Sequence, residues 1–292
     1  MFNRVAIIGL GLIGGSLAAG LKSRGLVKEI RAWDQNPENT ARGLDLGLID
    51  NASASMREAV AGAELVVIAV PVMAIQPTLE RLHDVLSPNT IITDVGSVKG
   101  LVVEAAKNVF GEIPDILVPG HPVAGSERHG VDAADGDLFS RHKVILTPVA
   151  ETSPDATLTV RAMWEALGSR VMEMDPEYHD SVLAQTSHLP HLLAYALVDT
   201  LASGSDSLEI FDYAAGGFRD FSRIAASDPV MWRDIFQANS GPVLETLDRF
   251  LNDVEKLRSL IAEGRHDELA EVFARAKKAR DHFTALLEEQ KK

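Results

Sequence analysis

The segment Gly9-Leu10-Gly11-Leu12-Ile13-Gly14 constrains this chain more than any other. It lies between a β-branched run, Val5–Ile8, and a helical stretch, Ile13–Arg24. Gly9 permits the tight turn out of the strand, Gly11 leaves the backbone open to close approach, and Gly14 lets the helix pack on the strand. The helix start then offers free N–H groups and the positive end of its dipole to an anion. Asp34 follows the second predicted strand, Glu29–Trp33, 20 residues beyond Gly14. A carboxylate there accepts hydrogen bonds from a ribose 2′-hydroxyl and repels a 2′-phosphate, and Gln35 and Asn36 add no cation. The pattern is that of a dinucleotide-binding turn, with NAD favoured over NADP. The candidate cofactor residues are Gly9, Gly11, Leu12, Ile13, Gly14 and Asp34, with Val70, Pro71 and Ser97 just past later strands.

Strand and helix keep alternating through the first half. Leu65–Val70, Thr90–Asp94, Ile116–Pro119 and Val144–Thr147 are short apolar runs, as expected of strands buried on both faces. The alternation predicts a parallel sheet with right-handed crossovers. Ala156–Leu167 is a further helix and Arg170–Met174 a closing strand. No strand signal follows Met174. Glu177–Leu201 is helical with Pro190 inside it, and Asp228-Pro229 has the chemistry of a helix start. Leu244, Leu247, Leu251, Val254, Leu257 and Ile261 mark one helix face, and Leu269 through Phe283 mark another. The expected fold is α/β: a Rossmann-type dinucleotide-binding domain over 1–174, then an all-α domain over 175–292. The apolar stripes suit either an intramolecular bundle core or a dimer interface of interlocked helices.

Composition narrows the partners. Acids outnumber bases 42 to 28, a formal charge of −14, which disfavours nucleic acid and anionic membranes. The absence of cysteine excludes disulfides, a thiolate nucleophile and iron–sulfur ligation, and is compatible with a cytoplasmic protein. Uncharged Val5–Leu21 mimics a signal peptide, yet it holds five glycines and is too short to span a bilayer. No targeting or transmembrane segment is expected.

Open α/β sheets bind ligands beyond the carboxyl ends of their strands. Ser97 follows the fourth strand and His121 the fifth, which places both near a nicotinamide ring. Pro122 holds His121 extended, and its imidazole suits accepting a proton from a substrate hydroxyl as hydride leaves the same carbon. Ser97 also suits a helix cap, and His121 is read as a loop residue. In Ser187-His188-Leu189-Pro190-His191 the two histidines share a helix face; no third ligand and no HExxH is present, so no metal is assigned. From Gly216 to Arg223, paired glycines beside two arginines suggest a loop presenting guanidinium groups to a carboxylate. The alternative is an arginine paired with Asp220 or Asp228.

The glycine turn, DVGSVKG, GHPVAGSE, SHLPH and GGFRDFSRIAASDPVMW, in this order, resemble the prephenate and arogenate dehydrogenases of tyrosine biosynthesis over nearly the whole chain. The resemblance implies a helical dimerisation domain, a homodimer, and NAD-dependent oxidative decarboxylation of a cyclohexadienol. It implies that His121 hydrogen-bonds the C4 hydroxyl and that Ser97 orients that hydroxyl, His121 and the nicotinamide. It further implies that Arg223 binds a substrate carboxylate and that His188, His191 and Trp232 line the cleft. Glu127 and Asp220 would join Arg223 in an ionic network gating access. The chain stops at Lys292, leaving no room for a fused regulatory module, so tyrosine inhibition is expected at the active site. Two alternatives stand beside this reading. A β-hydroxyacid dehydrogenase needs a lysine that Glu177–Leu201 lacks. A non-catalytic NAD-sensing regulator would lack the histidine and arginine cluster. The choice between prephenate and arogenate stays open.

Overall fold

The computed structural model describes residues 1–125, 128–203 and 209–289. The apolar runs form strands β1 (Phe2–Ile8), β2 (Val27–Trp33), β3 (Asn51–Ala52), β4 (Leu65–Ile68), β5 (Ile91–Asp94) and β6 (Leu117–Val118). They make one parallel sheet in the order β3-β2-β1-β4-β5-β6. The direction of winding reverses between β1 and β4, which opens a crevice at the carboxyl ends of these strands. Helices α1 (Leu12–Ser23), α2 (Pro37–Asp45), α3 (Met56–Val60), α4 (Ile75–His83) and α5 (Lys99–Phe110) make the crossovers.

The run at Val144–Thr147 departs from the expected single parallel sheet. It forms β8 (Lys143–Leu146) in a separate three-stranded sheet, antiparallel to β7 (Gly120–Val123) and parallel to β9 (Arg170–Glu173). Pro119 is the cause. It has no N–H to extend the β5–β6 ladder, so the chain leaves the main sheet there. The departing segment becomes β7, and β8 pairs with it. β3, only two residues long, carried no readable pattern.

Each face of the main sheet has its own core. One packs Leu17, Leu21 and Phe139 with Trp164 of α6 (Pro154–Ala166), the two aromatic rings edge-on at 5.0 Å. The other packs Ile75, Leu79 and Val102 with Trp232 and Ile235. Past β9 the described residues form only helices. α7 (Pro176–Leu183) starts on Asp175, whose carboxylate accepts from Glu177 and Tyr178 N–H. A π-helical turn, Ala184–His188, leads into α8 (Leu189–Ala202), with Pro190 in its first turn. α9 (Gly216–Ser222), α10 (Pro229–Ala238), α11 (Ser240–Ala262) and α12 (His266–Glu289) follow. Asp228 caps α10 with Pro229 behind it, as its sequence predicts. Residues 1–243 form one compact unit and 244–292 a second. Among the described residues no helix is long and apolar enough to cross a membrane.

One buried ion pair ties the sheet to β7. The Lys99 ammonium, fully buried, bonds the Asp94 carboxylate and donates to the Gly120 carbonyl at 2.7 Å. Asp94 also accepts from Gly96 N–H at 2.7 Å and Gly120 N–H at 3.1 Å. Lys99→Met strands a buried carboxylate and should cost about 3–5 kcal/mol in urea unfolding. A loss below about 1 kcal/mol would show that this pair does not hold the β5–β7 junction.

Candidate active site

The glycine turn has the geometry a diphosphate needs. Gly9 adopts φ +97°, and a Cβ there would lie 2.4 Å from the Ala69 carbonyl oxygen. A Cβ on Gly14 would lie 2.1 Å from the Gly9 oxygen, whereas Gly11 has open space. Gly11 starts α1 without a side-chain cap, so the Leu12 and Ile13 N–H groups at the helix start remain for an anion. Asp34 does more than the sequence suggested. Its carboxylate accepts from Leu10 N–H at 2.6 Å, Asn36 N–H at 2.8 Å and Asn39 Nδ2 at 3.1 Å, and so braces the turn. A carboxylate offers about four acceptor sites, which leaves capacity for a ribose hydroxyl. Val70 is half-buried and Pro71 exposed, immediately past β4.

Ser97, half-buried, is not the cap of α5. Val98 occupies that position and makes no side-chain capping bond. Asp180 of α7 caps the helix from outside: its carboxylate accepts Lys99 N–H and Gly100 N–H, each at 2.8 Å. His121 lies in β7 opposite Ile145, not in a loop. Its extended backbone is the one Pro122 imposes. His121 Nδ1 is 2.9 Å from His179 Nε2, and His179 Nδ1 is 2.7 Å from Asp180 Oδ1.

The helical region supplies a second wall. Trp232 stacks on His191 at 3.7 Å and meets His188 edge-on at 5.9 Å. Its indole N–H is buried with no hydrogen-bond partner among the described residues. Asn239 Nδ2 donates to the Asp180 carbonyl at 2.9 Å and to His188 Nδ1 at 3.1 Å. His191 Nδ1 donates to the Ser187 carbonyl at 2.8 Å. The Gly216-Gly217 pair opens helix α9 and not a loop, because the following residues complete helical hydrogen bonds: Arg219 N–H already bonds the Ala215 carbonyl. Arg223 is exposed at the end of that helix, within electrostatic reach of His191. Asp220 pairs with its neighbour Arg219 at 3.3 Å on the surface. Glu127 lies outside the described residues.

Lys99, His179, Asp180 and Asn239 were missed from sequence. Lys99 stood inside DVGSVKG, where a buried cation beside Asp94 was a readable signal. The other three gave no sign of their place in the site, because the contacts that bring them to His121, His188 and the start of α5 span 51 to 81 residues.

Comparison with known proteins identifies the family. Residues 17–173 match the family profile "Prephenate dehydrogenase, nucleotide-binding domain", and residues 175–275 match "Prephenate dehydrogenase, dimerization domain". The chain belongs to the prephenate dehydrogenase family. It is 41% identical to the cyclohexadienyl dehydrogenase of Zymomonas mobilis, with 96% of each chain covered. The crystal structure of Aquifex aeolicus prephenate dehydrogenase in complex with hydroxyphenyl propionate and NAD+ superposes with a TM-score of 0.90 at 37% identity, covering 97% of this chain and 99% of that one. Synechocystis arogenate dehydrogenase gives a TM-score of 0.82 at 30% identity, covering 96% of this chain and 99% of that one.

Burial holds His121, His188 and His191 toward the neutral form. Burial pushes His121 well below the usual imidazole value, and the Lys99 ammonium and any second proton on His179 or His188 push the same way. Burial lowers His188 to about 4 against the pull of Asp180. Burial also lowers His191, opposed by its bond to Ser187 and reinforced by Arg223. A base whose folded value is depressed binds fewer protons folded than unfolded, so stability is full above about pH 6.5 and is lost as pH falls toward 4. His188→Gln should therefore flatten the acid limb of the stability curve between those values. Urea midpoints at pH 7, 5.5 and 4.5 check this; parallel wild-type and variant slopes would exclude His188 as a contributor.

Proposed function

We propose that this chain is an NAD-dependent dehydrogenase that oxidatively decarboxylates prephenate, arogenate or both in tyrosine biosynthesis. The observation that carries the reading is His121, buried and neutral on a strand that leaves the carboxyl end of the parallel sheet. Relatives named for prephenate, cyclohexadienyl and arogenate substrates support the reaction class.

NAD+, when bound, supplies the two-electron oxidant. Gly9, Gly11, Leu12, Ile13 and Gly14 would hold its diphosphate, Asp34 its ribose, and Val70, Pro71 and Ser97 its nicotinamide side. His121 takes the proton of the C4 hydroxyl as that carbon is oxidised, and the ring carboxylate departs as CO2. Aromatisation yields 4-hydroxyphenylpyruvate from prephenate or tyrosine from arogenate. Ser97 orients the hydroxyl. Arg223 binds a substrate carboxylate, and His188, His191 and Trp232 wall the ring. Asp220 and Glu127 gate access to Arg223. A chain of charge −14 needs that local cation for an anionic substrate. Tyrosine inhibits by competing at this site.

Two copies pair through the helical region. The match to a dimerization domain supports this, as does α11, whose Leu244, Leu251, Val254 and Ile261 lie exposed at seven- and three-residue steps.

NADH formation with prephenate and with arogenate, each against NAD+ and NADP+, tests the reading. Turnover with NAD+ is expected, and absence of turnover with either substrate by a folded protein that binds NAD+ would refute it. His121→Asn should lower kcat about 100-fold or more with KM little changed. Arg223→Ala should raise KM about tenfold or more, the loss of a charge-assisted contact. Because burial displaces His121, the acid fall of kcat/KM should lie well below pH 6.5.

A further inference from the structure

Three side chains from two distant parts of the chain form a continuous buried line: His121 on β7, then His179 and Asp180 on α7. His179 is fully buried and Asp180 is 6% exposed. We infer that His179 and Asp180 are positioning residues that set the tautomer of His121, leaving its Nε2 bare to act as the base. The inference rests on the reaction proposed above.

The argument starts at the far end. The Asp180 carboxylate is pinned by Lys99 N–H and Gly100 N–H, and its own carbonyl is held by Asn239. A Cβ at residue 100 would stand 2.9 Å from Asp180 Oδ2, so the glycine admits the carboxylate to the helix end. An ionised carboxylate only accepts hydrogen bonds. His179 Nδ1 must therefore carry a proton toward it. With one proton on each ring, His179 Nε2 is bare and only accepts. His121 Nδ1 then donates across the 2.9 Å contact, and His121 Nε2 is bare.

The line also prepares for the transferred proton. The Lys99 ammonium is within electrostatic reach of His121 and opposes a positive charge on it. Asp94 neutralises Lys99, and Asn239 holds His188 through Nδ1. Asp180, reached through His179, is the acid left to balance an imidazolium formed at His121. The same carboxylate fixes the first turn of α5, two residues after Ser97, so one group aligns both candidate residues.

Histidine ring nitrogen NMR on the whole protein reads the tautomers without turnover. In the wild type at pH 7.5, His121 and His179 should both be Nδ1–H with bare Nε2. In Asp180→Asn the amide oxygen can serve only one of the Lys99 and Gly100 N–H groups; with it kept on Gly100 N–H, the amide N–H donates to His179 Nδ1 and reverses the line, so His121 should become Nε2–H. Its kcat should fall about 100-fold or more, with KM for NAD+ within twofold. His179→Gln keeps an acceptor for His121 Nδ1 and should retain far more activity than His179→Leu. A wild-type His121 protonated at Nε2, or a doubly protonated His179, would overturn the inference even if Asp180→Asn fails to fold. So would an Asp180→Asn protein with unchanged tautomers and kcat within threefold of wild type. Should the wild type turn over neither substrate, the proposed reaction fails, while the tautomers still decide the role of this line.

Discussion

Asp94 and Lys99 are both fully inaccessible to solvent, and the cost of burying two charges explains how completely they are bonded. The carboxylate takes the ammonium and two backbone N–H groups; the ammonium also takes the Gly120 carbonyl. These bonds join three pieces that do not otherwise share a ladder: the end of β5, the start of α5 and the first residue of β7. His121 is the next residue along. Its position relative to the main sheet is therefore set by electrostatics at a seam between two sheets.

Much of the first half was legible because its signals are local. Apolar four-residue runs, the glycine turn and Asp34 at a fixed offset each depend on neighbours in sequence. Asp228-Pro229 announced a helix for the same reason. Two of the errors came where a residue far along the chain decides. Ser97 had the side chain of a cap, but Asp180, 80 residues beyond Gly100, took the role. Val144–Thr147 had the composition of a central parallel strand, yet Pro119 had already drawn the chain out of the sheet. Gly216-Gly217 suggested a break, and the helix formed regardless because neighbouring residues supply its bonds.

The site resolves a conflict between global and local charge. The chain is strongly acidic, yet the groups around Trp232 are two histidines kept uncharged by burial and an arginine at the surface. Neutral imidazoles form a wall without adding a net charge, and they hydrogen-bond through one nitrogen while keeping the other available. Arg223 brings permanent charge within reach of His191, and exposure keeps its hydration cost low.

The π-helical turn at Ala184–His188 has a consequence in helical phase. Along a regular α-helix, the eight residues from Asp180 to His188 advance about 800°, some 80° past two full turns. Asn239 could not then bond the Asp180 carbonyl and the His188 ring with one amide nitrogen. The wider i to i+5 turns advance less per residue and bring His188 back above Asp180. A chain one residue shorter between Leu183 and His188 would close as regular α-helix, advance about 700° and keep His188 within about 20° of the same face, so the π-helical turn accommodates one extra residue without turning the wall away.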